Sequence, residues 1–292
     1  MKISLKSFFV ALSLALALTL GAVFSLPDDK LHLIFCDVGQ GDAILITKGT
    51  TQILIDGGPN QKVLTCLANH LPFWDRTIEM VVVTHPDNDH LGGLPDVIGR
   101  YNVTQLVSHS LVRDSAIFWT FRDEVIEKKI SVYSPKAGDK IQLGGISLEI
   151  LFPLEKLGDE LVWQPEAETK VLGAYSYPTN ANDVSLVSLF SYGDFDALLP
   201  GDIGSQNEGV IETDKEIEVL KVAHHGSKYS TSEEFLARLD PDLAVISVGN
   251  NSFGHPTSEV LERLRNLGVE ILRTDINGEI EVVSDGKSWY TK

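Results

Sequence analysis

Short apolar runs that stop on an acid or a histidine recur along this chain, and they limit the folds open to it. "KLHLIFCDVG", "DAILITKG" and "TQILIDGG" are three such runs separated by glycine turns, the signature of a strand meander. "IEMVVV" then runs unbroken into "THPDNDHLG", as a strand buried on both faces would. "VTQLVSH", "ISVYSP", "KIQLGG", "ISLEILFP", "NDVSLVSLF", "FDALLPGD", "EIEVLKVAHHG", "LAVISVG", "VEILRT" and "GEIEVVS" extend the theme. Helical periodicity appears between them, in "QKVLTCLANHLP", "LPDVIGRY", "SAIFWTFRDEVIEKK" and "SEVLERLRNLG". A further helix from Thr231 to Leu239 opens on a capping-box pattern ahead of Glu233 and Glu234. No repeat and no glycine- or proline-rich linker divides the chain after residue 30, and its 43% apolar content is enough for a sizeable core. One α/β domain over residues 28–292, with two sheets and flanking helices, is the economical expectation.

The amino terminus reads differently. "MKISLK" is a short basic region, and "SFFVALSLALALTLGAVFSL" follows it without a charge. Residues 1–27 are therefore expected to be a signal peptide or signal anchor, with the body exported and secreted or held by that segment. No cysteine directly follows the run, which argues against a lipoprotein. The chain's net charge is −17, and loss of the segment removes Lys2 and Lys6 and no acid, leaving −19. Such a body repels polyanions at long range, though bound metal can reverse the sign locally. Cys36 lies in an apolar run and Cys66 in a helix, and they read as two buried small hydrophobes rather than a bridge. The acidic stretch 154–181 carries Trp163, Tyr175 and Tyr177 and reads as a lid whose aromatics face a substrate.

Ligand-capable residues gather where the strands end. Asp37 and Asp42 bracket "DVGQGD", Asp56 ends "LIDGG", and His85, Asp87, Asp89 and His90 crowd into six positions. Asn182 and Asp183 open a later strand, Asp202 closes "LLPGD", His224 and His225 close "LKVAHHGS", and His255 lies in "SFGHP". Adjacent side chains on a tight loop point apart, so one ion cannot take them all. Two divalent ions can: His85 and Asp87 on one, Asp89 and His90 on the other, with Asp202 as bridge. Such a pair activates water at neutral pH and clamps both oxygens of an in-line displacement. Taken singly, "GD" is usually a turn and a histidine beside a strand is usually structural. The order of "HPDNDH", "LLPGD" and "AHHGS" favours metal.

"HPDNDHLGG" resembles the histidine-rich signature of the metallo-β-lactamase superfamily. Together with "DVGQGDAILI", "ILIDGG", "NDVSLV", "LLPGDI", "LKVAHHGS" and "GHP", it resembles the metallo-β-lactamase-like domain of the ComEC DNA-uptake (competence) proteins, over about residues 31–285. The resemblance implies an αββα four-layer sandwich and a metal-dependent hydrolase, proposed as a nuclease or phosphodiesterase, with two zinc or manganese ions. It assigns His224 to the second ion by the superfamily's H-x-G pattern, leaving His225 as an outer or substrate contact, and it gives Asp56 the task of orienting motif histidines. Two features depart from it. Asp87 stands where most members have histidine, and no histidine lies between His109 and His224 to supply the usual mid-chain ligand. Asn182 or Asp183 falls in that place, making the first site oxygen-rich. No multi-helix channel precedes the domain here, so DNA transport is not inferred from the likeness.

The expected function is an exported two-metal phosphodiesterase acting on DNA or a smaller phosphodiester. His255 or His225 would protonate the leaving oxygen, and Ser227 and Lys228 would contact phosphate. A lactone or thioester hydrolase on the same centre is the first alternative, and a non-catalytic metal-binding surface module the second. Membrane contact is expected only through the N-terminal segment, and no protein partner is implied.

Overall fold

A computed structural model describes residues 6, 8–14, 16, 26–158, 160–165 and 180–292. Most of residues 1–27 and most of the expected lid, including Tyr175 and Tyr177, lie outside the described residues. Among the described residues no helix is long and apolar enough to cross a membrane.

The chain builds the same kind of unit twice. In the first, β1 (Leu31–Phe35), β2 (Ile44–Lys48) and β3 (Thr51–Ile55) form the antiparallel meander. The helix α1 (Lys62–His70) carries the chain over to β4 (Thr77–Val82), which lies parallel to β3. The short α2 (Asn88–Leu91) and α3 (Leu94–Arg100) lead to β5 (Asn102–Val107), and α4 (Ala116–Glu127) leads to β6 (Ser131–Tyr133), both again parallel. The second unit starts with β7 (Lys140–Leu143), β8 (Ile146–Phe152), β9 (Val187–Tyr192) and β10 (Phe195–Leu199), all antiparallel. It continues through α5 (Ser205–Glu208), β11 (Val219–Lys221), α6 (Glu233–Leu239), β12 (Leu243–Ile246), α7 (Ser258–Asn266) and β13 (Glu270–Arg273), with β10 to β13 parallel. After α8 (Thr274–Asn277), β14 (Ile280–Ser284) and β15 (Trp289–Thr291) return to the first sheet. The sheet orders are β15-β14-β1-β2-β3-β4-β5-β6 and β13-β12-β11-β10-β9-β8-β7.

Strand periodicity explains the four layers. Successive side chains point to opposite faces, and here both faces are apolar. Leu33, Phe35, Ile53 and Ile55 of the first sheet meet Ile146, Leu148, Ile150, Phe190, Ala197 and Val245 of the second, forming the inter-sheet core. The alternate residues Ile34, Leu45 and Leu54 pack outward on Val63, Val97 and Phe121 of α1, α3 and α4. In the second sheet Leu198, Leu220 and Ala244 pack on Phe235 of α6 and Val260 of α7. The architecture is the αββα sandwich.

Two expectations need correction. Trp163 does not face a substrate: it is buried against Phe118 and Phe121, its indole N–H reaches Ser110 Oγ, and Arg122 binds the neighbouring carbonyls of Val162 and Gln164. The tryptophan completes the outer core over α4, a role its place in an acidic stretch conceals. Cys36 and Cys66 form a disulfide, because α1 crosses the end of β1 and brings their Cα atoms to 5.8 Å. The bridge closes a separation of 30 residues, for which chain entropy gives a stabilisation of about 3.5 kcal/mol. Cys66→Ala is therefore expected to lower the unfolding free energy by about that amount in a urea titration. A loss no larger than that of an ordinary surface substitution would show that the bridge contributes nothing.

Candidate metal centre

The ligand-capable groups meet where the parallel strands of both sheets end. His85 lies just past β4, and Asp87 is the extended residue before α2, its side chain making no cap hydrogen bond. That leaves the single turn of α2 to aim Asp89 and His90 inward. Asp202 follows β10, Lys221 ends β11, and His224 and His225 lie in a tight turn after it. Loop backbones interlock beneath them. Asp42 N–H donates to the Asp89 carbonyl (3.1 Å), and Gly58 N–H donates to the Asp42 carbonyl (2.7 Å). Gly41 has φ +133, and a Cβ there would come within 2.1 Å of the Asp89 carbonyl oxygen, so only glycine permits this approach.

At the centre, His90 Nε2 and His225 Nε2 each lie 3.3 Å from Asp202 Oδ2, and His225 Nε2 lies 3.4 Å from Asp89 Oδ2. His85, His90 and Asp202 form one group of mutually close donor atoms, and Asp89, His90 and His225 form another. The opposite ring nitrogens are already committed. His90 Nδ1 donates to Asp56 (2.8 Å), and His225 Nδ1 donates to the Ser247 carbonyl (2.8 Å). Both Nε2 atoms are turned toward carboxylates, and neither has a well-formed hydrogen bond, a position that takes either a proton or a metal ion. Asn182 Oδ1 is likewise buried and unpartnered. A divalent cation resolves that arrangement. Two ligands about 2.0–2.1 Å from a tetrahedral ion sit roughly 3.3–3.4 Å apart, which matches the spacings here. The residues fit metal.

Electrostatics agree with the geometry. Burial alone would lower both imidazoles, but Asp202 and Asp42 lift His225 to about 9, and Asp202 and Asp56 lift His90 well above its usual value. Burial drives His85 well down, with His90 adding to the effect. Burial would raise Asp202, yet His225, His90 and Lys221 hold it well below the carboxylate range. This is a pocket of carboxylate charge that calls for cations, as protons or as metal.

Not every residue expected at the site converges. Asp87 is half-buried, its Oδ2 3.9 Å from His85 Nε2 and its Oδ1 3.2 Å from Arg113. His224, expected to complete the second ion, is 31% exposed with Nε2 4.0 Å from Asp202, whereas His225 is buried at the centre. Backbone geometry makes the difference: His224 (φ 52) and His225 (φ 54) are both left-handed, which turns the second ring inward and the first toward the opening. Asp183 does not join the group, since its carboxylate binds Asn180 Nδ2 (3.0 Å) and the Gln206 amide, while Asn182 Nδ2 lies 3.3 Å from His224 Nε2. Asp56 is wholly buried and also accepts from Thr84 N–H and Oγ1. Asp37 is an exposed loop residue whose carboxylate accepts from Gly39 N–H (3.4 Å). The cavity over the centre, about 220 Å3, is lined by Asp87, Asp89, Asn182, His255 and Phe253 among others. Ser227 and Lys228 do not line it. Ser227 Oγ takes Tyr229 N–H, and Lys228 Nζ lies over the Tyr229 ring.

Sequence reasoning missed Lys221. It is fully buried, pairs with Asp42, lies 3.2 Å from Asp202 Oδ1 and donates to the Gly201 carbonyl (2.8 Å). It thereby occupies one oxygen of Asp202 and leaves the other to the histidines. The signal was a lone charge inside the apolar run "VLKVA". Arg113 and Phe253 had no comparable signal.

Known proteins resemble this chain in sequence and in fold. Recombination protein 2 of Haemophilus influenzae is 31% identical over 253 residues, covering 84% of this chain and 28% of its own. ComE operon protein 3 of Bacillus subtilis is 28% identical over 277 residues, covering 84% of this chain and 32% of its own. The chain thus spans about a third of the length of these curated relatives. In structure it is similar to the metallo-beta-lactamase fold protein YhfI from Bacillus subtilis, with TM-score 0.55 and 10% identity, covering 86% of this chain and 99% of that one. The model of the metallo-beta-lactamase superfamily matches residues 36–249, which takes in β2 and β3, the crowded motif and the two histidines after β11. The chain belongs to that superfamily.

Proposed function

We propose that this protein is an exported two-metal hydrolase of phosphodiester bonds, with nucleic acid as its first candidate substrate. One observation supports it above the others: His90 Nε2 and His225 Nε2 converge on Asp202 Oδ2 at 3.3 Å, the spacing of ligands that share one ion. His85, His90, Asp89, Asp202 and His225 would hold the ions, with Asn182 Oδ1 and Asp87 at the open side. Bound divalent ions would supply Lewis acidity, a water of lowered pKa and a clamp on both oxygens of an in-line displacement.

The chain's own groups do the rest. Asp56 fixes the tautomer and ring angle of His90, and the Ser247 carbonyl does so for His225. Lys221 offsets part of the charge of Asp42 and Asp202 and holds both carboxylates in place. His255, whose Nδ1 is buried without a hydrogen bond, stands beside His224 at the cavity wall, placed to pass a proton to the leaving oxygen. Names of the curated relatives, Recombination protein 2 among them, support a nucleic-acid substrate. The full set of ligands speaks against an idle surface module. Export is supported by the Cys36–Cys66 bridge, since disulfides persist in oxidising compartments, and by the basic start and uncharged run of residues 1–27.

An activity panel on residues 28–292 tests this reading, using single- and double-stranded DNA, a generic phosphodiester and a lactone, each with manganese and with zinc. Turnover of the lactone alone would replace the phosphodiesterase with the lactonase. Because Asp87 and Asn182 put oxygen where imidazole is usual, manganese is expected to support at least as much hydrolysis as zinc. Asp87→His should move the preference toward zinc. Strict zinc dependence that Asp87→His leaves untouched would remove Asp87 from the ligand set.

A further inference from the structure

One wall of the cavity has no part in holding metal. Phe253 lines it and is 71% exposed. Its loop is firmly built. Asn251 Nδ2 donates to the carbonyls of Gly249 (2.9 Å) and His255 (2.8 Å), while Asn251 Oδ1 accepts from the N–H groups of Phe253 (3.0 Å) and His255 (3.1 Å). The base of the loop is pressed on the one before β2, for a Cβ at Gly249 would come within 2.4 Å of the Gly39 backbone. The loop's own hydrogen bonds therefore hold Phe253 out into solvent.

The rings form a continuous surface. His225 and His224 have centroids 6.2 Å apart, His224 and His255 5.5 Å, and His255 and Phe253 5.7 Å, the last pair stacked at 30°. Burial falls along the series, from the enclosed His225 through the half-buried His224 and His255 to the open Phe253. An aromatic wall thus leads from the centre to water.

We propose that Phe253 is the platform on which a nucleobase of the substrate stacks while the adjoining phosphodiester lies at the metal centre, making it a specificity-determining residue for unpaired strands. The inference rests on the phosphodiesterase reading and adds a base requirement to it. Charge supports it. The chain carries −17, and among the described residues the cavity lining includes no lysine or arginine. Arg113 and Lys221 nearby are tied to carboxylates. Counterion release, the usual source of nucleic-acid affinity, has little to work with. Stacking needs no charge, accepts any base and is open only where bases are unpaired, since a duplex covers their faces.

The test uses oligothymidylate and an abasic oligomer with the same phosphates. Phe253→Ala is expected to raise KM for oligothymidylate about tenfold with little change in kcat. It should leave the abasic oligomer unaffected, and Phe253→Tyr should restore wild-type behaviour. In a separate reading, Phe253→Trp should show emission, above the four native tryptophans, that oligothymidylate quenches and the abasic oligomer does not. Equal KM changes on both oligomers, or indole emission indifferent to the base, would overturn the platform. Should the wild-type chain cleave neither oligomer, the phosphodiesterase reading falls, and the quenching alone then decides for or against Phe253.

Discussion

Replacing Asp202 by alanine is expected to lower turnover by at least about 100-fold, since even groups that merely support a metal ligand cost 10–100-fold when removed. Its Oδ2 lies 3.3 Å from both His90 and His225, so both rings lose a shared partner. The fold should stand. Lys221 keeps its pairing with Asp42 and its bond to the Gly201 carbonyl, so no buried cation is stranded. Steady-state rates, metal content and a thermal melt on one preparation separate these effects. Near wild-type turnover would reduce Asp202 to a turn residue after β10.

The two histidines after β11 should divide as sharply. His225→Ala is expected to lose about 100-fold or more in activity together with bound metal. His224→Ala should keep its metal and stay within about tenfold of wild type, as for a group acting at substrate rather than at the ion. The geometry demands this ranking, because His225 is buried with Nε2 3.4 Å from Asp89, while His224 sits at the opening. If His224→Ala is the variant that empties the centre, the H-x-G pattern outranks the observed geometry.

The difference between these neighbours marks where sequence ceases to be informative. Unbroken apolar runs made the strands and two flanked sheets legible, while the four-layer sandwich came from the resemblance of the motifs. The site's catchment was legible too, because strand ends are where polar residues break such runs. Which of two adjacent histidines turns inward depends on backbone dihedrals at 224 and 225, and no side-chain pattern announces a left-handed pair. The choice between Asn182 and Asp183 turned on one tight turn in the same way. Cys36 and Cys66 pair only because α1 crosses β1, a contact set by packing across 30 residues. Lys221 was readable in principle: a charge amid buried residues needs partners, and Asp42 and Asp202 were already in view.

The left-handed pair also fixes how this chain would answer selection. Each non-glycine residue in that region costs about 1–2 kcal/mol, a cost glycine avoids. Pressure for heat resistance alone would therefore push positions 224 and 225 toward glycine or asparagine, with the helices and sheets undisturbed. Only demand for the imidazoles opposes that drift. A natural variant in which both histidines had given way would be a molecule freed from hydrolysis, its sandwich retained for some quieter use.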